Sequence, residues 1–296
     1  MLYRSLAAAL ALIASVLQAD EPLVWKFSAG EDLAFEVRQT SDVTLDSRGG
    51  EVRSKSDQTA TLDWKVETVD AAGAAKVVQD IRRLQLTFDA PGGQGYQLDT
   101  DSEEPPQGLA TMIAPVYRAL TEHNCQLTVS PQGEILKSEP PEEVLQSLKN
   151  FPGAAALGKG GALYQQLLRP ALIEVPAGEL KVGQKWVSFI EAPLAMFGVE
   201  AAEFQYEYLG EREADGRPVA AIGVRLMLIP PEDENAAPVQ VRVVQSEGEV
   251  LFDREAGRVH SARLESRCEL KFTDGKQVTT GEVTQTATAK LAPAGE

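Results

Sequence analysis

Apolar and polar residues alternate along most of this chain. In "LAFEVRQTSDVTL" the residues Leu33, Phe35, Val37, Val43 and Leu45 share one parity, and in "TLDWKVET" Leu62, Trp64 and Val66 do the same. "FQYEY" contributes Phe204, Tyr206 and Tyr208, and "AIGVRLML" contributes Ile222, Val224, Leu226 and Leu228. Side chains of a strand point alternately to its two faces, so a period of two with one apolar face marks a half-buried antiparallel strand. Glycine-containing turns separate the runs: "SRGG" at 47–50, "DAAG" at 70–73, "ADGR" at 214–217, "REAG" at 254–257 and "TDGK" at 273–276. Each reads as a hairpin connection. The parity slips between Ile81 and Leu84, on either side of Arg82 and Arg83. A β-bulge there returns both apolar residues to one face.

The chain also resembles itself. "FSAGEDLAF … LDWKVETVDAAGAAKVVQDIRRLQLTF" and "LKVGQKWVSF … FQYEYLGEREADGRPVAAIGVRLML" share one plan. A glycine-led turn precedes a strand, an aromatic strand follows, a glycine turn reverses the chain, and an aliphatic strand closes the unit. Such a plan suits a pseudo-symmetric β architecture, with halves at 20–105 and 176–296.

Residues 106–175 break the alternation. "PQGLATMIAPVYRALTE" carries Leu109, Met112, Ile113, Val116 and Leu120 at helical spacing, with Pro115 predicting a kink or a restart. "CQLTVSPQGEIL" reads as a hairpin. "EPPEEVLQSLKN" opens with proline and carboxylates, which suit the N-terminus of a helix. "GALYQQLLRPALIEV" offers Leu163, Leu167, Leu168 and Leu172 as a further helical stripe. An antiparallel sheet with one wet face needs cover on the other, so these stripes are expected across its apolar face. The fold predicted is mainly β (a β-rich α+β chain). It has long, curved antiparallel sheet of roughly ten or more strands in two pseudo-repeated halves, with a helical insert covering the apolar face.

Composition adds a compartment and removes some partners. "MLYRSLAAALALIASVLQADEP" has a basic Arg4, an apolar run from Leu6 to Leu17 and a small residue at Ala19. This is the plan of a signal peptide over 1–19, with cleavage before Asp20, leaving a single β-rich domain over 20–296. The run is shorter than the roughly 20 residues of a membrane span, so no stable anchor is expected after cleavage. The chain carries a net charge of −16. Such a field repels nucleic-acid phosphates, and no basic cluster overrides it. Its two cysteines, Cys125 and Cys268, both fall on apolar parities. In an exported chain they either form a disulfide or remain two buried thiols.

The chemistry of catalysis is thin. The sequence holds two histidines, His123 and His260, and His260 shares the parity of Ala262 and Leu264, which predicts a strand position facing the core. There is no G-x-S-x-G, H-E-x-x-H or paired C-x-x-C pattern. "YQLDTDSEEPP" at 96–106 gathers Asp99, Asp101, Glu103 and Glu104. A calcium loop needs a glycine turn and a distal carboxylate at set spacing, and neither follows. The stretch reads as a solvated turn, matched by the acidic, proline-bracketed "IPPEDENAAP" at 229–238. No catalytic, metal or cofactor residue is assigned.

Several stretches together resemble a family of exported bacterial proteins classed as a domain of unknown function. They are "GEDLAFEVRQT", "LDWKVETVDAAG", the Asp-Ser of "DTDSEE", "LTVSPQGEI", "VGQKW" and "GEVLFDREAGRV". The resemblance spans nearly the whole chain after the leader, and its motifs are turn and strand signatures. It implies fold and export, and it brings no catalytic residues. The family's contiguous Tyr-Asp-Ser triplet is spread out here as "YQLDTDS", so no role for Asp101 or Ser102 follows from it.

Three functions compete on this sequence. The first is a non-catalytic periplasmic or extracellular carrier for an apolar small molecule or lipid, its pocket formed by Met112, Val116, Leu163 and Leu167. The second is a structural or interaction module meeting another envelope protein. The third, an enzyme, has the least support.

Overall fold

The computed structural model describes residues 22–47, 50–93, 95–149, 171–194, 199–230, 239–274 and 277–292. The predicted leader, the acidic residues 231–238, and Leu163, Leu167 and Leu168 lie outside these described residues. The first half supplies β1 (Asp32–Ser47), β2 (Gly50–Val69), β3 (Ala75–Asp89) and a short β4 (Tyr96–Asp99). Helix α1 (Ala110–Glu122), the hairpin β5 (Cys125–Val129) and β6 (Ile135–Glu139), and helix α2 (Glu142–Lys149) follow. The second half is a meander of β7 (Lys185–Leu194), β8 (Val199–Ala214) and β9 (Arg217–Ile229), then β10 (Val239–Asp253), β11 (Arg258–Asp274) and β12 (Gln277–Ala292).

These strands form one antiparallel sheet in the order β6-β5-β3-β2-β1-β12-β11-β10-β9-β8-β7, with β4 added beside β3. The halves meet where β1 pairs with β12, from Ala34 opposite Ala292 to Asp46 opposite Thr280. All five glycine turns of the sequence connect consecutive strands. The parity slip is a bulge: Leu62 faces Ile81, Thr61 faces Arg83, and Arg82 is the extra residue. It leaves Ile81 and Leu84 both buried.

The self-resemblance has a counterpart in hydrogen bonds. Gly30 N–H donates to Val66 O (2.8 Å) and Val66 N–H to Glu31 O (2.9 Å). Gly183 N–H donates to Tyr208 O (2.7 Å) and Tyr208 N–H to Gln184 O (2.9 Å). Leu33 then faces Trp64 as Trp186 faces Tyr206, and a bulge follows each aromatic strand, after Val66 and after Tyr208. The sheet therefore begins the same way at the start of each half.

The sheet does not close on itself, but at this end its flanks are bridged. A strap at 171–175 crosses between its flanks: Val175 N–H donates to Gln132 O in the β5–β6 turn (2.8 Å), and Trp186 Nε1–H of β7 donates to Glu174 O (2.7 Å). Trp25 is buried beneath it, donating Nε1–H to Ile173 O (3.0 Å) and packing edge-to-face on Phe252. One apolar cluster joins Val77 and Leu127 on one flank to Tyr206 and Ile222 on the other. A flat sheet of this width could not bring those strands into one core, so the sheet curls around it.

The insert corrects the sequence reading in three places. Helix α1 passes through Pro115 without a restart. Its buried face is Ala110, Ala114, Val116, Ala119 and Leu120, and Leu109 and Met112 point to solvent. Leu172 is buried in the non-helical strap and not on a helix. Helices α1 and α2 do cover the inner face, placing Val116, Leu120, Val144 and Leu148 in the core and packing Ala110 and Ala114 against Leu98 of β4.

Cys125 and Cys268 are free, buried thiols, not a disulfide. The first lies in β5 and the second in β11, with β3, β2, β1 and β12 between them in the sheet. Burial pushes both thiols above their ordinary values.

Candidate functional site

The other end of the sheet comes apart. Strands β9 and β10 pair only from Val219 opposite Asp253 to Val224 opposite Gly248. Beyond that point both continue: β9 keeps pairing with β8 as far as Ile229, and β10 with β11 as far as Val239. Their facing edges, 225–229 and 239–247, no longer form a backbone ladder.

The sequence builds this fork. Gly248 is the last residue of β10 in the β9–β10 ladder, and a Cβ there would lie 2.3 Å from Arg263 O and 2.9 Å from Val224 Cγ1. Only glycine lets the three strands approach so closely. Next to it, Ser246 Oγ accepts the Leu226 N–H at 2.8 Å, so a side chain ends the ladder where a carbonyl would have continued it. Val244 is then extruded as a bulge between Val243 and Gln245, which turns β10 away with β11.

Between the diverging strands is a cleft of about 770 Å³. Leu226, Leu228, Val241, Val243 and Leu270 supply an apolar wall, continuous with the inner face of the sheet. Gln205, Arg225 and Arg242 lie on the opposite parity. Arg242 is held by Glu269 at 2.6 Å. The volume is within the usual range for small-molecule sites, roughly 300–1,000 Å³.

Of the residues singled out from the sequence, the two that are described do not line this cleft. Met112 is half exposed on α1, Val116 is packed in the core, and Leu163 and Leu167 lie outside the described residues. The cleft is thus not at Met112 and Val116. The runs that build it are "VRLMLI" and "VQVRVV", and of these only the first was singled out above, as part of a strand.

A second depression, about 740 Å³, lies beside the acidic stretch and is lined by Asp99, Ser102, Glu104 and Arg118 among others. The stretch is not wholly a turn, because Tyr96–Asp99 forms β4. Arg83 grips Asp99 with both arms, Nε at 2.9 Å and Nη2 at 2.5 Å, and holds its carboxyl down to about 2. That carboxylate is committed to an arginine and to the backbone N–H of Asp101. Among the described residues no three His, Cys, Asp or Glu side chains are grouped to hold a metal.

His260 does not face the core as its parity suggested. It is the extra residue of a bulge opposite Leu251 and Phe252, and its Nε2 lies 3.1 Å from Asp215 Oδ2 in the β8–β9 turn. The exposed Asp215 holds it at the surface.

No family model and no curated protein matches the chain. Solved structures similar to it include a study of lipid–protein interactions in lipovitellin, at 15% identity and a TM-score of 0.49. That match covers 92% of this chain and 26% of the other, so this chain spans about a quarter of it. An exported protein with a YmcC-like fold from Bacteroides fragilis matches at 10% identity and a TM-score of 0.27, over 89% and 97% of the two chains. An outer membrane lipoprotein-sorting protein domain from Vibrio parahaemolyticus matches at 8% and 0.16, over 88% and 87%. Likeness of this order transfers no ligand or partner.

Proposed function

We propose that this protein is an exported, non-catalytic binding module of the cell envelope, which takes an apolar or lipid-like ligand into the cleft between β9 and β10. The observation that carries the reading is the fork itself. Two long neighbouring strands stop pairing at Val224 and Gly248 and leave an apolar-walled opening where a continued ladder would have filled the space. An unpaired strand edge is a liability unless something occupies or protects it. The apolar wall selects a ligand that gains by leaving water, at about 25 cal/mol per Å² removed.

A neutral fluorescent probe, N-phenyl-1-naphthylamine, tests this without involving charge. Saturable fluorescence enhancement is expected, lost in Val243→Asp and in Leu228→Asp, with both variants keeping the wild-type circular dichroism. Absence of saturable enhancement in the wild type contradicts the carrier reading.

A second reading, an interaction module, is favoured by edge strand β7. Val187 and Phe189 stand there about half exposed, 49% and 55%, beside a backbone edge that pairs with no further strand among the described residues. Exposed apolar edges of this kind recruit further strands.

A further inference from the structure

Resting on the cleft as the binding site, we infer that its ligand is an amphiphile with an acidic head group, a carboxylate or phosphate, held by Arg225 and Lys271 at the rim while its tail lies along the apolar wall. The chain as a whole is strongly acidic, at −16. Among the described residues lining the cleft the balance is reversed: Arg225, Arg242 and Lys271 stand against Glu269 alone. Arg242 and Glu269 satisfy one another at 2.6 Å. Arg225 on β9 and Lys271 on β11 are both exposed, and their side chains make neither an ion pair nor a hydrogen bond among the described residues.

Most other arginines and lysines of the sheet are matched to a carboxylate, as Arg38 is to Asp57, Arg83 to Asp99, Arg212 to Glu249 and Lys290 to Glu36. Two uncommitted cations on either side of one apolar opening are therefore a local exception. Arg225 stands between Leu226 and Val224, and Lys271 directly follows Leu270, so each cation adjoins the apolar wall while occupying the opposite parity. That placement separates a charged rim from a greasy interior by a single residue step, which is the polarity profile of an ionised amphiphile. A guanidinium also matches the planar, two-oxygen geometry of a carboxylate or phosphate.

The test compares dodecanoate with 1-dodecanol, equal in tail and different in charge, by competition against the neutral probe at a pH where the acid is ionised. Charge-assisted hydrogen bonds predict that dodecanoate competes about tenfold better. The double substitution Arg225→Gln with Lys271→Gln should remove that preference, so that dodecanoate and 1-dodecanol compete equally. Raising the salt concentration should erode the preference in the wild type. Acetate, the head without the tail, should not compete at these concentrations. Equal competition by acid and alcohol, or a preference that survives the double substitution, overturns the head-group assignment and leaves the carrier reading standing. Competition by acetate as strong as by dodecanoate overturns the amphiphile in favour of a simple anion. Failure of both tailed compounds, with no probe binding, removes both proposals.

Discussion

At the scale of single residues, the acidic stretch illustrates how a charge is assigned by its neighbours. The four carboxylates at 99–104 are alike in sequence, but only Asp99 sits in the grip of Arg83, because β4 pairs with β3 and sets Asp99 opposite Gln85. Hydrogen bonding to the ionised form lowers its carboxyl from 3.8 to about 2. Since the folded value lies below the free one, the contribution of the pair is complete above pH ~4 and is lost as the pH falls towards 2. The pair is largely solvated, so screening holds its worth to about 1 kcal/mol or less. Carboxyl NMR titration should give a midpoint near 2 for Asp99 in the wild type, returning towards the ordinary value in Arg83→Gln. A wild-type midpoint near 4 would show that the pair does not persist in solution. None of this was legible in "YQLDTDSEEPP", since the arginine that matters is 16 positions away. His260 was misplaced for a related reason: parity counts residues, and a bulge adds one.

At the scale of elements, strands with a partner on each side were the most legible. Leu33, Phe35 and Val37, or Leu62, Trp64 and Val66, are buried on one face as their alternation requires. Even the bulge at Arg82 was visible, because two apolar residues demanded the same face. The helix was harder. Val116 and Leu120 are buried as the stripe requires, but the rest of the buried face is made of alanines, Ala110, Ala114 and Ala119, which carry little hydrophobic signal, while the larger Leu109 and Met112 are half exposed. The strap was harder still: "ALIEV" is apolar enough for a helix, and its burial comes from lying across the end of the curled sheet. Gly133 holds that crossing. Its φ is +81°, and a Cβ would lie 2.1 Å from Ile173 O and 2.5 Å from Trp25 Nε1. Gly133→Ala should therefore strain the turn and displace the Trp25–Ile173 hydrogen bond, costing about 2 kcal/mol or more in chemical denaturation. An unchanged midpoint would show that the strap does not depend on this contact.

At the scale of the whole molecule, an unclosed twelve-stranded antiparallel sheet is bridged by a strap at one end and forked at the other. The strapped end gathers Trp25, Trp64, Tyr208 and Phe252 into one core. At the forked end the inner positions Val43, Leu45, Leu226, Leu228, Val241 and Val243 are only half-buried, and the β9–β10 ladder has ended. The fork could not be read from the sequence, because pairing is not a property of either strand alone. The central claim is that this fork is where an apolar ligand enters. Its most direct test is photolabelling with a long-chain alcohol that carries a diazirine in its tail, followed by digestion and mass spectrometry. Saturable adducts are predicted on peptides containing 225–229 and 239–246, and unlabelled alcohol should compete them away. Adducts confined to α1, α2 and strands β3 to β5, or labelling that never saturates, would contradict the account.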